Sequence, residues 1–416
     1  MTKNERIILF LLAALNFTHI LDFMIMMPLG NYLMPYFNIS TQQFSMLVGA
    51  YSISAAVSGF IAAFFVDRFD RKKVLLISYA GFIIGTLACG FAPTYGLLLS
   101  ARILAGIFGG IIGAQVMAII ADLFAYERRG RAMGAVMSAF AVASTLGVPF
   151  SLYLTNLFNF NWHVPFLMVG GLGLILLPLV NKLIPGMSEH INKVKEANST
   201  WKVLKNVLES PVQKQALVFS GLLMMGHFLI IPFLNPYLEF NKGFSKDMTP
   251  MVYLVGGIAS FAAAIFLGRF SDKAGKLPVF SYSVFFSLFM VLLITRMPDV
   301  PYSVVLGFFA VWFVLATGRA VTAQAMISEV VKPEQRGSFM SFNGSIQQLG
   351  TTIASVAAGF IVVKDTTGKI QRYEWLGYLS ILVLLISLLL GRYLFKKIDK
   401  TEEETKVETE LLQETA

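Results

Sequence analysis

The chain of 416 residues is long enough for two or three soluble domains, but its composition excludes a soluble fold. Hydrophobic residues make up 56% of it and charged residues only 14%. Soluble proteins average about 45–50% and about 25%, and so few charges cannot cover a water-exposed surface of this size. The composition therefore indicates an integral membrane protein. A single cysteine, Cys89, also excludes a disulfide framework and a cysteine-ligated zinc site.

Twelve apolar segments each approach the ~20 residues that a helix needs to cross the hydrocarbon core of a membrane. The first follows the polar start MTKNER without a small-residue cleavage site, so we interpret it as a retained helix rather than a signal peptide. The segments predict an all-α membrane protein. They begin near Ile7, Met46, Val74, Leu97, Ala132, Val164, Ala216, Met251, Val279, Val304, Phe339 and Leu376.

The lysines and arginines orient the predicted bundle. Loops on one side hold 25 of the 33, loops on the other side hold six, and Arg102 and Arg319 lie inside spans four and ten. Because positive residues concentrate on cytoplasmic loops, we expect both termini in the cytoplasm and the protein in the cell (inner) membrane. The net charge of +9 thus reflects membrane topology and does not indicate nucleic-acid binding.

The longest internal polar stretch separates spans six and seven, near the middle of the chain. Within it Trp201, Leu204, Val207 and Leu208 recur at helical spacing between lysines, which predicts a helix on the cytoplasmic membrane surface. The glutamate-rich end of the chain is expected to be disordered. The predicted units are an N-terminal six-helix bundle (1–184), a linker (185–214), a C-terminal six-helix bundle (215–395) and an acidic tail (396–416).

Short patterns recur between the two halves. The residues AFFVDRFDRK from Ala63 match GRFSDKAGK from Gly268, and ERRG from Glu127 matches EQRG from Glu334. The offsets are close to half the chain length, which indicates duplicated six-helix units. Such parallel repeats are typical of transporters whose binding site lies between the halves.

The loop after span two resembles the signature of the major facilitator superfamily, a Gly, three residues, Asp-Arg, any residue, Gly, any residue and two basic residues. Ala63 and Asp70 replace the two glycines, whereas the copy after span eight keeps Gly268 and Gly275. The segment STLGVP at 144–149 is similar to a Gly-Val-Pro form in sugar and drug efflux branches. The resemblance implies a monomeric transporter of two pseudo-symmetric six-helix bundles, driven by the proton gradient without a cofactor or metal.

Asp22 is the only acidic residue that the sequence places deep inside a span. Such a carboxylate titrates or pairs, so it is either a transport residue or half of a static ion pair. At 1.5 Å per residue, Asp22 of span one and Arg102 of span four lie at similar depth and could meet. His19, one turn before Asp22, suits a proton relay, with a hydrogen-bonded structural histidine as the alternative. An acid and an arginine on these spans often form the proton-coupling pair of the resembling superfamily.

Further polar residues inside spans are expected to line a substrate cavity. Arg319 has no acid in its own span, so it is a candidate partner for an anionic or polar substrate, with helix locking as the alternative. His227 recurs about half a chain after His19. For the amides, interhelical hydrogen bonding is the alternative role. The candidate cavity residues are Arg319, His227, Gln115, Gln324, Asn343 and Gln347.

The resemblance also implies a cytoplasmic gate that forms in the outward-open state. Asp67 would cap the start of span eleven near Gly337, and Asp272 would face span five near Arg131. The gate residues implied in this way are Asp67, Arg68, Arg71, Asp272, Lys273, Arg131 and Gly337.

These features predict a proton-coupled antiporter that exports a small organic compound, drug-like, amphiphilic or a sugar, by rocking of the two halves. A symporter that imports a sugar or another nutrient is the alternative on the same fold. An intramembrane lipid-acting enzyme would need a metal cluster or a nucleophile–base set, and neither HExxH nor GxSxG occurs. A non-transporting sensor would bind its ligand without flux. The expected partners are protons, a small-molecule substrate and the lipid bilayer.

Overall fold

The structure is a computed structural model, and it describes residues 2–62, 64, 66–124, 126–188, 200–331 and 336–414. Within these residues, eleven helical segments are long and apolar enough to cross a membrane. A further helix of 26 residues, richer in polar side chains, packs among them as span eleven. The predicted fold, an all-α membrane protein with twelve helices in two pseudo-symmetric bundles, is confirmed.

The spans are numbered in chain order, and several consist of more than one helix. A two-stranded antiparallel hairpin joins spans eleven and twelve, and a separate helix, Thr200–Glu209, precedes span seven. The bounds are Lys3–Ile25 with Gly30–Phe37 (one), Thr41–Ala62 (two), Arg71–Gly90 (three), Tyr95–Leu123 (four), Tyr126–Val142 with Ala143–Gly147 and Val148–Leu157 (five), His163–Leu183 (six), Pro211–Phe228 with Ile231–Phe233 and Leu234–Lys242 (seven), Thr249–Ala274 (eight), Lys276–Thr295 (nine), Tyr302–Glu329 (ten), Arg336–Ile361 (eleven) and Tyr373–Glu414 (twelve), with strands Val363–Lys364 and Ile370–Gln371.

At the start of several spans, a Thr, Ser or Asp side chain caps the helix by accepting a hydrogen bond from a backbone N–H group. Thr2 forms a reciprocal capping box with Glu5, and Thr94 and Ser210 cap spans four and seven. Asp70 caps span three by accepting from the Lys73 amide at 2.9 Å. Asp70 thus has a structural role where the superfamily signature has glycine.

Spans one and seven are both interrupted, at matching places in the two halves. Turn residues 26–29, which include Pro28, separate the two helices of span one. In span seven, Pro232 lies in a single 3₁₀ turn between the two helices. Proline cannot donate the backbone hydrogen bond that a continuous helix requires, which explains both breaks.

Span five contains a π-helical turn, Ala143–Gly147, directly before a helix that has Pro149 in its first turn. This turn packs against span eight, where a Cβ added at Gly257 would strike the backbone of Thr145. Glycine at 257 therefore allows the close approach of the two halves at this point. π-Helical turns are frequent at functional sites.

Equivalent spans pair in the same way within each half. Span four packs on spans two and three, as span ten packs on eight and nine, and span one packs on five and six, as span seven packs on eleven and twelve. Between the halves, span two packs on eleven and span five on eight. The second half thus repeats the first, as the duplicated patterns predict.

The ends of the spans remote from the chain termini, here called the distal ends, are joined by apolar packing. One cluster of buried side chains runs through both halves and includes Leu33, Phe44, Phe233 and Leu234. The aromatic rings of Phe44 and Phe233 lie 5.9 Å apart, centroid to centroid. The two bundles are therefore in direct contact at the distal ends.

Two segments outside the spans bear on the sequence-based expectations. The helix Thr200–Glu209 lies within the linker (185–214) where a surface helix is predicted, and its Val207 side chain is buried. The backbone of span twelve is helical as far as Glu414, and the disorder predicted for the tail (396–416) stays a prediction. Glu, Lys and Leu are strong helix formers, so the helix can continue beyond its apolar part.

Candidate functional site

The structure brings Asp22 and Arg102 together inside the first half. Nη1 of Arg102 lies 2.8 Å from Oδ2 of Asp22, and both side chains are fully buried. The guanidinium also lies over the Tyr51 ring, with Cζ 4.4 Å from the centroid. Because desolvation of two charges is costly, such a pair is stable only while both members carry charge and keep this geometry.

His19 lies one turn from Asp22, but among the described residues no hydrogen bond joins the two. Its imidazole packs between aromatic rings, 5.9 Å from Phe82 and 6.3 Å from Tyr51 between centroids. Nδ1 is buried and has no hydrogen-bond partner within the described part of the chain. A Cβ added at Gly109 of span four would lie 2.5 Å from the Tyr51 hydroxyl oxygen and 3.1 Å from the imidazole Cδ2, so glycine at that position lets both side chains pack closely on span four.

In the second half the structure brings together Arg319 and His227, which the sequence left as separate candidates. Nη2 of Arg319 lies 3.0 Å from Nδ1 of His227, and Arg319 is only 2% exposed. The His227 ring is 5.2 Å from that of Trp312. Among the described residues no carboxylate pairs with Arg319.

The candidate amides fall into two groups. Gln347 donates to the Ser220 hydroxyl at 3.0 Å and to the Gln324 carbonyl at 3.5 Å, which joins spans seven, ten and eleven. Gln115 and Asn343 are buried, and within the described residues their carbonyl oxygens accept no hydrogen bond. Gln324 and Gln347 therefore make interhelical hydrogen bonds, and their role in lining a substrate cavity stays a prediction.

The predicted cytoplasmic gate is only partly visible. The side chains of Asp67 and Arg131 and the surroundings of Gly337 lie outside the described residues. Among the other gate residues, Arg68, Asp272 and Lys273 are exposed. Nε of Arg71 lies 2.9 Å from Oδ2 of Asp122. Arg71 thus links the ends of spans three and four within one half.

A polar network at the distal ends was not predicted from the sequence. Asn31 of span one donates to the carboxylate of Glu239 in span seven, which Lys246 also approaches at 3.9 Å. Tyr32 donates to Asn156 at 2.6 Å, and Asn156 in turn donates to the Lys246 carbonyl at 3.1 Å. These bonds connect spans one and five of the first half with span seven and with the 3₁₀ turn Lys246–Met248, which precedes span eight, in the second.

Two further bonds between the halves use backbone acceptors. Asn235 donates to the Pro28 carbonyl at 3.0 Å, and Thr41 donates to the Val362 carbonyl at 2.7 Å. One sequence signal existed: Asn31 and Asn235, like Pro28 and Pro232, recur 204 residues apart at the breaks of spans one and seven.

Comparisons with known proteins match this architecture over most of the chain. The Major Facilitator Superfamily model matches residues 12–322 and 216–414. The uncharacterised MFS-type transporter YceJ of Bacillus subtilis is 27% identical over 344 residues, which cover 82% of this chain and 85% of YceJ.

Solved structures share the fold at much lower identity. A bacterial homologue of the human lysosomal transporter Spinster, in an inward-facing and occupied conformation, superposes with a TM-score of 0.75 at 13% identity, over 95% of this chain and 98% of that one. A D-xylose–proton symporter superposes with a TM-score of 0.75 at 16% identity, over 92% and 96% of the two chains. With the family model matching well over half of the sequence, the chain belongs to the Major Facilitator Superfamily of transporters.

Proposed function

We propose that this transporter is a proton-coupled antiporter that exports a small organic compound, with Asp22 as the proton-carrying group. The observation that carries the proposal is the fully buried pair of Asp22 and Arg102. An ionisable pair within a membrane-spanning bundle is costly to keep there, and such groups commonly serve proton relays.

The Asp22–Arg102 pair has two states, joined and released, and binding of a proton to Asp22 changes the equilibrium between them. While Asp22 is ionised, its carboxylate holds Arg102 and so links spans one and four. Protonation removes one charge of the pair, weakens this link and leaves Arg102 free to seek another partner. Alternating access follows if this release changes the relative stability of the two orientations of the halves. His19 lies one turn from Asp22. After a rearrangement of its side chain, it would position Asp22 or relay the proton to it.

We propose that the transporter lies in the cell membrane with both termini in the cytoplasm, because lysines and arginines are concentrated in the loops on that side. We propose a monomer that needs only the proton gradient and a substrate, and that has no enzymatic activity. The Gly-Val-Pro segment of span five, whose Gly147 ends a π-helical turn, favours export over import.

The test uses the purified full-length protein in proteoliposomes with a pH dye in the lumen. Candidate compounds are added outside under an imposed proton gradient. Antiport makes the lumen more alkaline as substrate enters, whereas symport makes it more acidic. We expect an alkaline signal that Asp22→Asn abolishes.

The matched control is Asp299→Asn, which removes an exposed carboxylate paired with Lys242 in the second half. It should leave the signal unchanged. Substrate-dependent proton flux that persists in Asp22→Asn would refute the role of Asp22, and an acidic signal would establish symport instead.

A further inference from the structure

Arg319 is a buried cation, and among the described residues no carboxylate pairs with it. The helix of span seven beside it, Pro211–Phe228, contains neither Asp nor Glu. In the first half the equivalent spans place Asp22 against Arg102. In the second half the partner of the arginine is a histidine, at 3.0 Å. Each half thus buries an arginine, but the first half places a carboxylate beside it and the second half a histidine.

The contact with His227 defines which ring nitrogen carries a proton. Arginine can only donate hydrogen bonds, so Nδ1 of His227 must be the acceptor. A neutral imidazole that accepts at Nδ1 carries its proton on Nε2, which is therefore a donor. His227 consequently adds a second donor beside the guanidinium and no negative charge.

Trp312 supplies a third donor to the same cluster. Its ring lies 5.2 Å from that of His227, and its side chain is fully buried. Within the described residues neither Nε1 of Trp312 nor Nη1 of Arg319 has a hydrogen-bond partner. Buried donors are normally satisfied, so this cluster of donors lacks an acceptor.

An acceptor-only group with a negative charge satisfies these donors, and a carboxylate is the simplest such group. The planar guanidinium matches a carboxylate in a bidentate arrangement. Aromatic rings extend from the cluster: Phe228 follows His227 and reaches Phe23 of span one, with ring centroids 5.8 Å apart. An apolar body attached to the carboxylate would therefore contact aromatic surface from both halves.

We propose that Arg319, His227 and Trp312 form the binding site for the carboxylate of an organic acid with an apolar, aromatic body. This assignment rests on the proposed function, because it names the substrate class of that transporter. It does not depend on the direction of transport or on the role of Asp22.

The experiment is equilibrium binding by calorimetry to the full-length protein in lipid nanodiscs, with empty nanodiscs subtracted. The probes are benzoate, phenylacetate and 2-naphthoate, each compared with its neutral primary amide. We expect at least one carboxylate to bind about tenfold or more tightly than its amide, and Arg319→Gln to abolish that preference. Arg319→Lys should retain part of it, because an ammonium keeps the charge but loses the bidentate fork.

The matched control is Arg296→Gln, which removes an exposed arginine from the same half and should leave binding unchanged. Thermal unfolding of Arg319→Gln verifies its fold, which should persist because no carboxylate of the described residues loses a partner. The proposal is overturned if no carboxylate binds more tightly than its amide, or if Arg319→Gln binds like the wild type. Proton flux without a carboxylate preference would refute this proposal alone, whereas carboxylate binding without proton flux would refute only the proposed function.

Discussion

Two arginines are buried in equivalent spans of this transporter, and their surroundings determine what each can do. Arg102 meets the Asp22 carboxylate and the face of Tyr51. Within the described part of the chain, the Arg319 guanidinium hydrogen-bonds only to the imidazole of His227. A charge pair can be opened by a proton, whereas a lone cation attracts an anion. The two halves are thus suited to different tasks because their buried arginines, Arg102 and Arg319, have different partners.

The first prediction concerns the stability of the Asp22–Arg102 pair. Arg102→Gln leaves a buried carboxylate unpaired and should lower the free energy of unfolding by about 3 kcal/mol. The double variant Asp22→Asn/Arg102→Gln removes both charges and should recover most of that loss. Reversible unfolding in mixed micelles measures the free energies of unfolding of the wild type, of both single variants and of the double variant. Additive losses in the double variant would show that the two side chains do not interact.

At the scale of elements, glycines and prolines determine how closely the spans approach and where they break. In span four a Cβ added at Gly106 would strike the backbone of Tyr51, and one at Gly110 would strike that of Ala55. Both neighbours belong to span two. A Cβ added at Gly113 meets nothing within 4 Å. Close packing of spans two and four therefore depends on Gly106 and Gly110 and not on Gly113.

The second prediction tests this difference in one helix. Gly110→Ala should destabilise the protein by about 1–3 kcal/mol, because the backbone of span two must move away. Gly113→Ala is the matched control and should leave stability unchanged or slightly raised, since alanine favours helix more than glycine does. Thermal unfolding of both variants checks the prediction. Equal melting temperatures for the two would contradict the close contact at Gly110.

At the scale of the whole molecule, the two bundles touch through spans two and eleven and through spans five and eight. At the distal ends, hydrogen bonds such as Thr41 to the Val362 carbonyl add to this packing. Ser45 of span two is fully buried there, against Gly359 of span eleven. Rocking of the halves would separate these contacts and expose Ser45.

The third prediction uses cysteine labelling to follow that movement. The native Cys89 is fully buried, so it should react slowly with a membrane-impermeant maleimide. Ser45→Cys should react about tenfold more slowly than the exposed control Gln42→Cys while the distal ends are closed. Addition of a transported compound should accelerate labelling of Ser45→Cys alone. Equal rates for the two variants at rest would contradict closed distal ends.

The sequence by itself determined the features that depend on local composition. Twelve apolar lengths predicted the membrane fold, and a half-chain repeat predicted its duplicated bundles. Depth along a helix axis follows from residue counting, so the meeting of Asp22 with Arg102 could also be predicted.

Only the tertiary structure decided the contacts that depend on how helices rotate and slide against each other. The pairing of Arg319 with His227, of Asn31 with Glu239 and of Arg71 with Asp122 could not be read from periodicity. Lipid-facing and bundle-facing sides are both apolar in a membrane helix, so its sequence gives little indication of which side faces a neighbour. Partner choice is therefore decided by packing of the whole bundle.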